Sequence, residues 1–418
     1  MATESRSETQ LVERGAMDRE PARAHAVSGF VAGAIALAVL YSGNNLPSAF
    51  YGTFRHVMAF SPLTQTLLYA AAVAVILPGL LIFGPLSDAV GRRVPILLGL
   101  AMFAVGDLLF AAADGVGWLF AARVAQGLGM GMAAAAAQAT LGDSVPGFRP
   151  SPAQGQHLAA VTATACITFG LAAGPLLGGL LAQYGPAPLR LAFFVHLALV
   201  VFGALAALRA PGRPAGARRG WRLAGIGVPP PIRRTFTFVA ASSFLAWAVL
   251  GIFSAVLPSL VGGLLETTNL ALTAGALTLM IGTSGLVQLG VRRLEPRSAQ
   301  AIGLIVLAAG LALLVGAGTA NSLPLTALAM LATGTGHGLV FSGAQHELGA
   351  VTSPDNRGAV TGAYYMASYL GLGGPVIGVG LLALSRGLTA ATSMVSVVIA
   401  ALCLVVAPLI ALERRRAA

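Results

Sequence analysis

Residues 84–93 read GPLSDAVGRR, one acid and two arginines within ten residues of a chain that is only 9% charged. The stretch lies between apolar runs near 63–86 and 94–113. Runs of about 20 apolar residues match the thickness of a bilayer core when helical. A hydrophobic fraction of 56% over 418 residues and a mean hydropathy of +0.83 make the chain an integral membrane protein. Its Ala, Leu, Gly and Val runs are continuous, without the ten-residue alternation of a membrane barrel, so the backbone is satisfied within helices. The charged stretch is then a tight turn between two spans. Gly84 and Gly91 supply its backbone freedom. Asp88 can accept hydrogen bonds from a helix N-terminus or an arginine, and Arg92 and Arg93 can hold acids or helix C-termini of other segments.

Working outward, apolar runs predict twelve helices near 28–52, 63–86, 94–113, 117–141, 157–183, 189–208, 235–262, 269–290, 299–317, 323–346, 358–384 and 388–411. The basic charge is all arginine. With the N-terminus inside, 21 arginines fall on inner segments and three, Arg55, Arg190 and Arg386, on outer loops. The positive-inside rule selects that orientation, with both termini cytoplasmic, in an inner, cytoplasmic membrane. The polar residues 1–27 read as a disordered cytoplasmic tail with no removable signal peptide, and 412–418 as a short cytoplasmic tail. Residues 209–234, rich in Arg, Pro and Gly, read as a basic cytoplasmic linker between six-helix bundles at 28–208 and 235–411. Echoes between the halves, LPS at 46–48 and 257–259 and Gly-Pro at 174–175 and 374–375, support an internal duplication.

Cys166 and Cys403 lie in apolar runs, which excludes a disulfide framework or a zinc cluster. His346 and Glu347 are adjacent and diverge around the helix with no third ligand nearby, so no metal or other cofactor is expected. The formal charge of +11 follows the spans and lacks aromatic interleaving, which argues for topology and against nucleic acid. No paired intramembrane acids or nucleophile–histidine pair suggests an enzyme.

The turn resembles the hallmark of the major facilitator superfamily, Gly-x-Leu-Ser/Ala-Asp-x-x-Gly-Arg-Arg/Lys, matched by Gly84, Leu86, Ser87, Asp88, Gly91, Arg92 and Arg93. The resemblance implies a twelve-helix, pseudo-symmetric fold with rocking alternating access. It also implies a gating role for this loop, a cytoplasmic latch that stabilises the outward-open state through contacts between the halves. The corresponding loop of the second half, VRRLEPRSA, is degenerate, which predicts a one-sided latch.

Arg123 lies within the fourth predicted helix, where an unpaired arginine costs roughly 2.5–3.5 kcal/mol. Gln126 and Gly127 share its face. The stretch RVAQG is similar to the family's Arg-x-x-Gln-Gly motif, associated with proton-coupled members; a structural ion pair is the alternative. Asp107 and Arg123 lie eight residues to either side of the turn near Gly115, at similar depth, so Asp107 is the expected partner of Arg123 and a candidate proton carrier. Gly170, Gly174, Pro175, Gly178 and Gly179 allow close helix packing and a kink. They match the family's antiporter motif, Gly-x-x-x-Gly-Pro-x-x-Gly-Gly, found mostly in exporters that exchange compounds for protons.

Tyr41, Asn44 and Asn45 on the first predicted helix are too polar to face lipid and are expected at a cavity between the halves. Gln126, Trp247, Phe253 and Tyr365 complete the candidate substrate contacts, with Tyr364 and Tyr369 nearby; packing is the alternative for the aromatics. His196 and His337 read as buried, hydrogen-bonded histidines. The reading is an exporter of a small hydrophobic or amphiphilic compound, of the twelve-helix drug:proton antiporter branch, acting as a monomer in the bilayer with a small molecule and protons as partners. A proton-coupled uptake symporter or facilitator for a sugar, organic acid or amino acid is the alternative.

Overall fold

The computed structural model describes residues 2–145, 151–210, 225–291 and 294–417. Arg149, most of the 209–234 linker, Arg292 and Arg293 lie outside the described residues. So do the side chains of residues 2–22, His25, Asp88, Pro152, Pro354 and 414–417. Every described element is helical. The first half carries α1 (Ala2–Asn45), α2 (Tyr51–Met58), α3 (Pro62–Val90), α4 (Arg93–Ala111), α5 (Val116–Ser144), α6 (Pro152–Tyr184) and α7 (Leu191–Ala207). The second carries α8 (Arg233–Leu264), α9 (Leu270–Gly290), α10 (Pro296–Ala320), α11 (Leu323–Val351), α12 (Arg357–Arg386) and α13 (Leu388–Ala417).

Among the described residues, eleven helices are long and apolar enough to cross a membrane, and α7, with 17 residues, is a shorter apolar helix in the sixth position. Side-chain caps fix several starts. Ser61 accepts from the amide of Thr64, Asn269 from Leu272, Ser322 from Leu325, and Glu295 from Arg297 and Ser298. Pro62, Pro296 and Pro324 sit in first turns, where no hydrogen-bonding N–H is required.

Two ends of the first predicted helix differ from the sequence reading. The helix reaches back to Ala2, through residues expected to be a disordered tail; Glu, Arg, Ala and Met there are good helix formers. At its other end α1 stops at Asn45 and passes through a 3-10 turn, Leu46–Ala49, into the short α2. Pro47 opens that turn, and Asn45 fastens it by accepting from Ser48 at 2.9 Å.

Helices α1 and α3–α7 pack among themselves, as do α8–α13, and the halves meet mainly along α6 against α9 and α3 against α12. A repeated glycine pattern sets the helix spacing in each half. In Gly-Leu-Gly-Met-Gly, residues 127–131, Gly127 lies against the Ala72 carbonyl and Gly131 against Gly79 and the Ile76 carbonyl of α3. In Gly-Thr-Gly-His-Gly, residues 334–338, Gly334 lies against the Met280 carbonyl and Gly338 against the Ser284 carbonyl of α9. A Cβ at any of these would strike backbone, so α3/α5 and α9/α11 cross at the closest separation side chains allow. This places Met130 and Ile76 of the first half in positions equivalent to His337 and Ser284 of the second.

Candidate functional site

A central chamber lies between the halves. It holds about 890 Å³ of unfilled space, counting the part continuous with solvent. Tyr41, Asn44, Tyr69, Ile76, Met130 and Thr168 line it from the first half. Trp247, Ser254, Ser284, Gln288, His337, Phe341, Tyr365 and Tyr369 line it from the second, and none of its lining residues is charged. The aromatics form one connected group: Trp247 meets Tyr369 edge-on at 5.3 Å and Phe341 at 6.1 Å, and Tyr365 meets Tyr369 at 6.3 Å.

Gln288 and Phe341 also border a second cavity of about 1120 Å³ lined by Gln138, His157, Thr164, Gln345 and His346. Those residues lie near the ends of α5, α6, α9 and α11 that carry the arginine-rich connections, so the chamber has a vestibule toward that face. The opposite face is shut. Gln65 Nε2 donates across the halves to the Ala255 carbonyl at 2.8 Å and to Ser259 Oγ at 3.2 Å. The Leu270 amide donates to Gln183 Oε1 at 2.9 Å. Midway, Thr278 Oγ1 donates to the Ala172 carbonyl at 3.1 Å.

The 84–93 stretch ends α3 and starts α4. Gly91 caps α3 with φ +91°, a conformation that favours glycine. Arg92 donates to Asp143 of α5 at 2.9 Å and to Ser87 at 2.8 Å. Arg93 donates to the Ala210 carbonyl after α7 at 3.0 and 3.2 Å. These contacts stay within the first half; the contacts between halves that the resemblance implies belong to a state closed at this face. The parting of α5 and α6 from α9 and α11 around the vestibule leaves the pairs intact within their own bundle.

The expected Asp107–Arg123 pair is replaced by two separate anchorages. Asp107 Oδ2 pairs with His196 Nδ1 of α7 at 2.6 Å, both side chains fully buried, and His196 Nε2 lies 3.1 Å from the Val39 carbonyl of α1. Gly43 makes this possible, because a Cβ there would strike the His196 ring. Arg123, 1% exposed, donates to the Asn44 carbonyl at 2.9 Å, to Gln126 Oε1 at 2.8 Å and to the Leu68 carbonyl at 3.4 Å, and lies 5.7 Å from the Tyr69 ring centre. The depth reading placed both residues near one level, but the direction of each around its helix decides the partner. Gln126 stands between the two clusters. Its amide neighbours the Asp107 carboxylate, yet Asp107 Oδ1 and Gln126 Nε2 have no well-formed partner.

Three candidate substrate residues are displaced from the chamber. Asn45 donates to the Leu171 carbonyl at 3.0 Å and clamps α1 to α6, while its neighbour Asn44 lines the chamber. Gln126 is wholly buried behind the wall, and Phe253, 1% exposed, is core while the adjacent Ser254 faces inward. One step along a helix turns a side chain by about 100°, enough to move it from wall to core. Tyr41, Asn44, Trp247 and Tyr365 do line the chamber.

The glycines of 170–179 divide their contacts. Gly170 lies against Ala38 and Tyr41, Gly174 against Ser42, Asn45 and Leu46, and Gly178 against Leu46, Ala49 and Phe50, all in α1 and the turn after it. Gly179 instead meets Leu270, Ala271 and Ala274 of α9, across the halves at the shut face. Pro175 lies inside α6.

Sequence reading missed two features. Within the degenerate VRRLEPRSA stretch, Arg297 Nε pairs with Glu347 Oε1 at 2.6 Å, and Gln300 holds the other carboxylate oxygen at 2.6 Å. Arg297 also reaches the Glu413 carbonyl at 3.3 Å, and Arg234 pairs with the Glu413 carboxylate at 2.5 Å. The second half therefore has, within its own bundle, a counterpart of the Arg92–Asp143 tie. The other feature is a polar file in the second-half wall: Gln288 Nε2 donates to Ser284 Oγ at 3.0 Å, and Ser284 Oγ lies 2.8 Å from His337 Nδ1. The repeated Gly-x-Gly-x-Gly was its sequence signal.

A family model described as Major Facilitator Superfamily matches residues 33–375. The chain is 36% identical over 151 residues to the vesicular acetylcholine transporter of Homo sapiens, covering 36% of this chain and 27% of that protein. It is 33% identical over 139 residues to the putative multidrug resistance protein MdtD of Pectobacterium carotovorum, covering 33% of this chain and 27% of that one. The matched stretch thus spans about a quarter of each relative's length. A solved structure titled for substrate recognition in proton dependent oligopeptide transporters superposes with a TM-score of 0.72 at 15% identity, over 93% of this chain and 99% of the other, a likeness of fold.

Proposed function

We propose, from the premise that this chain belongs to the major facilitator superfamily and is a secondary transporter, that it exports a small hydrophobic or amphiphilic compound in exchange for protons. The observation that carries the reading is the placement of the complete Gly170–Gly179 motif. Three of its glycines bind α6 to the broken end of α1, and the fourth seats α6 on α9 of the other half, where the chamber is shut. Small residues at such a contact let two helices close tightly, and few polar bonds, here Leu270 to Gln183 and Thr278 to Ala172, have to break when they part. Partial likeness to a multidrug resistance protein and to a vesicular transporter supports the direction of transport.

The arginine asymmetry supports an inner-membrane location with both termini cytoplasmic. The vestibule then faces the cytoplasm, the side from which an exporter collects its cargo, and the uncharged, aromatic chamber suits amphiphiles. The protein acts as a monomer, each half supplying one wall. Of the candidate proton-handling groups, Arg123 reaches the chamber wall through Asn44, while Asp107 is tied through His196 to the Val39 carbonyl of α1, behind that wall.

The test is flux in proteoliposomes with an imposed proton gradient, against a compound panel, with and without an uncoupler. Uncoupler-sensitive movement of compound against the direction of proton flow is expected. Accumulation in the same direction as protons refutes antiport.

A further inference from the structure

We infer that the chamber recognises an uncharged amphiphile through a hydrogen-bond acceptor, a carbonyl-type oxygen, held against the second half by His337 and Trp247. This deepens the export reading and rests on it for the location of the site. The two walls differ at positions that the internal repeat makes equivalent. Where the first half has Ile76 and Met130, the second has Ser284 and His337. His337 is 6% exposed and stacks on Phe341 with the planes 7° apart, which fixes its ring.

Hydrogen counting sets what His337 offers. The Gln288 amide nitrogen can only donate, so it fills a lone pair on Ser284 Oγ. Among the described residues the only acceptor in reach of the Ser284 hydroxyl hydrogen is His337 Nδ1, 2.8 Å away, so the hydroxyl donates there and the hydrogen of the neutral ring sits on Nε2. Among the described residues that nitrogen has no protein partner. The indole Nε1 of Trp247, which can only donate, has none either, and both residues line the chamber. Two N–H groups in an apolar enclosure call for an acceptor, since a buried donor left unmatched is costly.

The rest of the wall selects against charge. No lining residue is an acid to balance a cation, and the Arg123 guanidinium lies directly behind Asn44 and Tyr69. Asn44 Oδ1, also without a protein partner, is on the first-half side to receive a donor from the cargo. The Ile76 and Met130 side takes the apolar body.

Binding to the purified full-length transporter in nanodiscs, by isothermal titration without a proton gradient, tests this with chloramphenicol, progesterone and menadione as neutral carbonyl probes and tetraphenylphosphonium as a lipophilic cation. At least one neutral probe is expected to bind more tightly than the cation. His337→Met, which copies the first-half wall, and Trp247→Phe should each weaken that neutral probe by about tenfold, the size of one hydrogen bond. His337→Gln, which restores an N–H, should recover most of it. Tighter binding of the cation, no binding by any neutral probe, or full neutral-probe affinity in both His337→Met and Trp247→Phe overturns the inference. Proton-driven export can fail in vesicles while this pattern holds, so the two readings fall separately.

Discussion

Substituting Gly179 by Ala should shift the transporter toward a state open at the arginine-poor face, with little loss of fold stability. A Cβ at residue 179 would lie 2.6 Å from the Leu270 carbonyl and 2.6 Å from the Ala274 Cβ, about an ångström inside normal contact. One of the two atoms is backbone, so α6 and α9 must separate rather than repack. Overpacking of this kind costs about 1–3 kcal/mol. The strain exists only while the halves are closed there, because α6 and α9 belong to different bundles. At 1.4 kcal/mol per factor of ten, the closed-to-open ratio should fall by roughly 5- to 150-fold. Gly174→Ala is the control. Its Cβ would strike the Ser42 carbonyl and lie 2.9 Å from the Leu46 amide, within one half, so the same cost is paid in every conformation. Spin-label distances or thiol-labelling rates at positions flanking the Gln183–Leu270 contact report the first effect, and thermal unfolding reports the second. Unchanged access in Gly179→Ala, or raised access in Gly174→Ala, refutes the assignment of a gate contact to one glycine and a structural contact to the other.

Other outcomes follow from the buried polar groups. Gln65→Leu removes two hydrogen bonds across the shut face and should raise labelling there by about three- to tenfold, while inner-face labelling falls. His196→Ala leaves the Asp107 carboxylate buried without its partner and should cost about 3–5 kcal/mol in unfolding experiments. Asp107→Asn keeps a hydrogen-bond acceptor for His196 and should cost less; if it also keeps full dependence of transport on the proton gradient, Asp107 is not the coupling acid. Arg297→Ala and Glu347→Ala should each lower the melting temperature, and the double variant should lose less than their sum, since each single change strands the other charge. A sum of effects would show that the pair is not coupled.

Much of the fold was legible because a bilayer leaves few choices. Continuous apolar runs have to be helices, and the charged and Gly/Pro breaks between them mark where each ends. The pairing of residues within the bundle was less legible. Depth along a span can be counted, and it placed Asp107 and Arg123 near one level, but the phase of each helix is set by its neighbours. Thus Asn44 faces the chamber and Asn45 does not, and Asp107 turns to His196, which only the gap at Gly43 admits. Pro47 cut the first span shorter than its hydropathy suggests. The Arg297–Glu347 tie was hidden because its acid sits 50 residues along the chain from its arginine, on another helix. His337 was read singly, as a buried histidine, when the glycines around it marked it as the counterpart of Met130.

The direct polar bonds described between the halves, Gln65 to Ala255 and Ser259, Leu270 to Gln183, and Thr278 to Ala172, lie at the arginine-poor face or midway. While those bonds hold, this face serves as a fulcrum and each bundle as a lever arm. A helix of 30 residues is about 45 Å long, so a tilt of about 10° around one end swings the other by about 8 Å. Sub-ångström yielding at the pivot is thereby magnified into an aperture wide enough for a drug-sized molecule, without any single helix having to unwind.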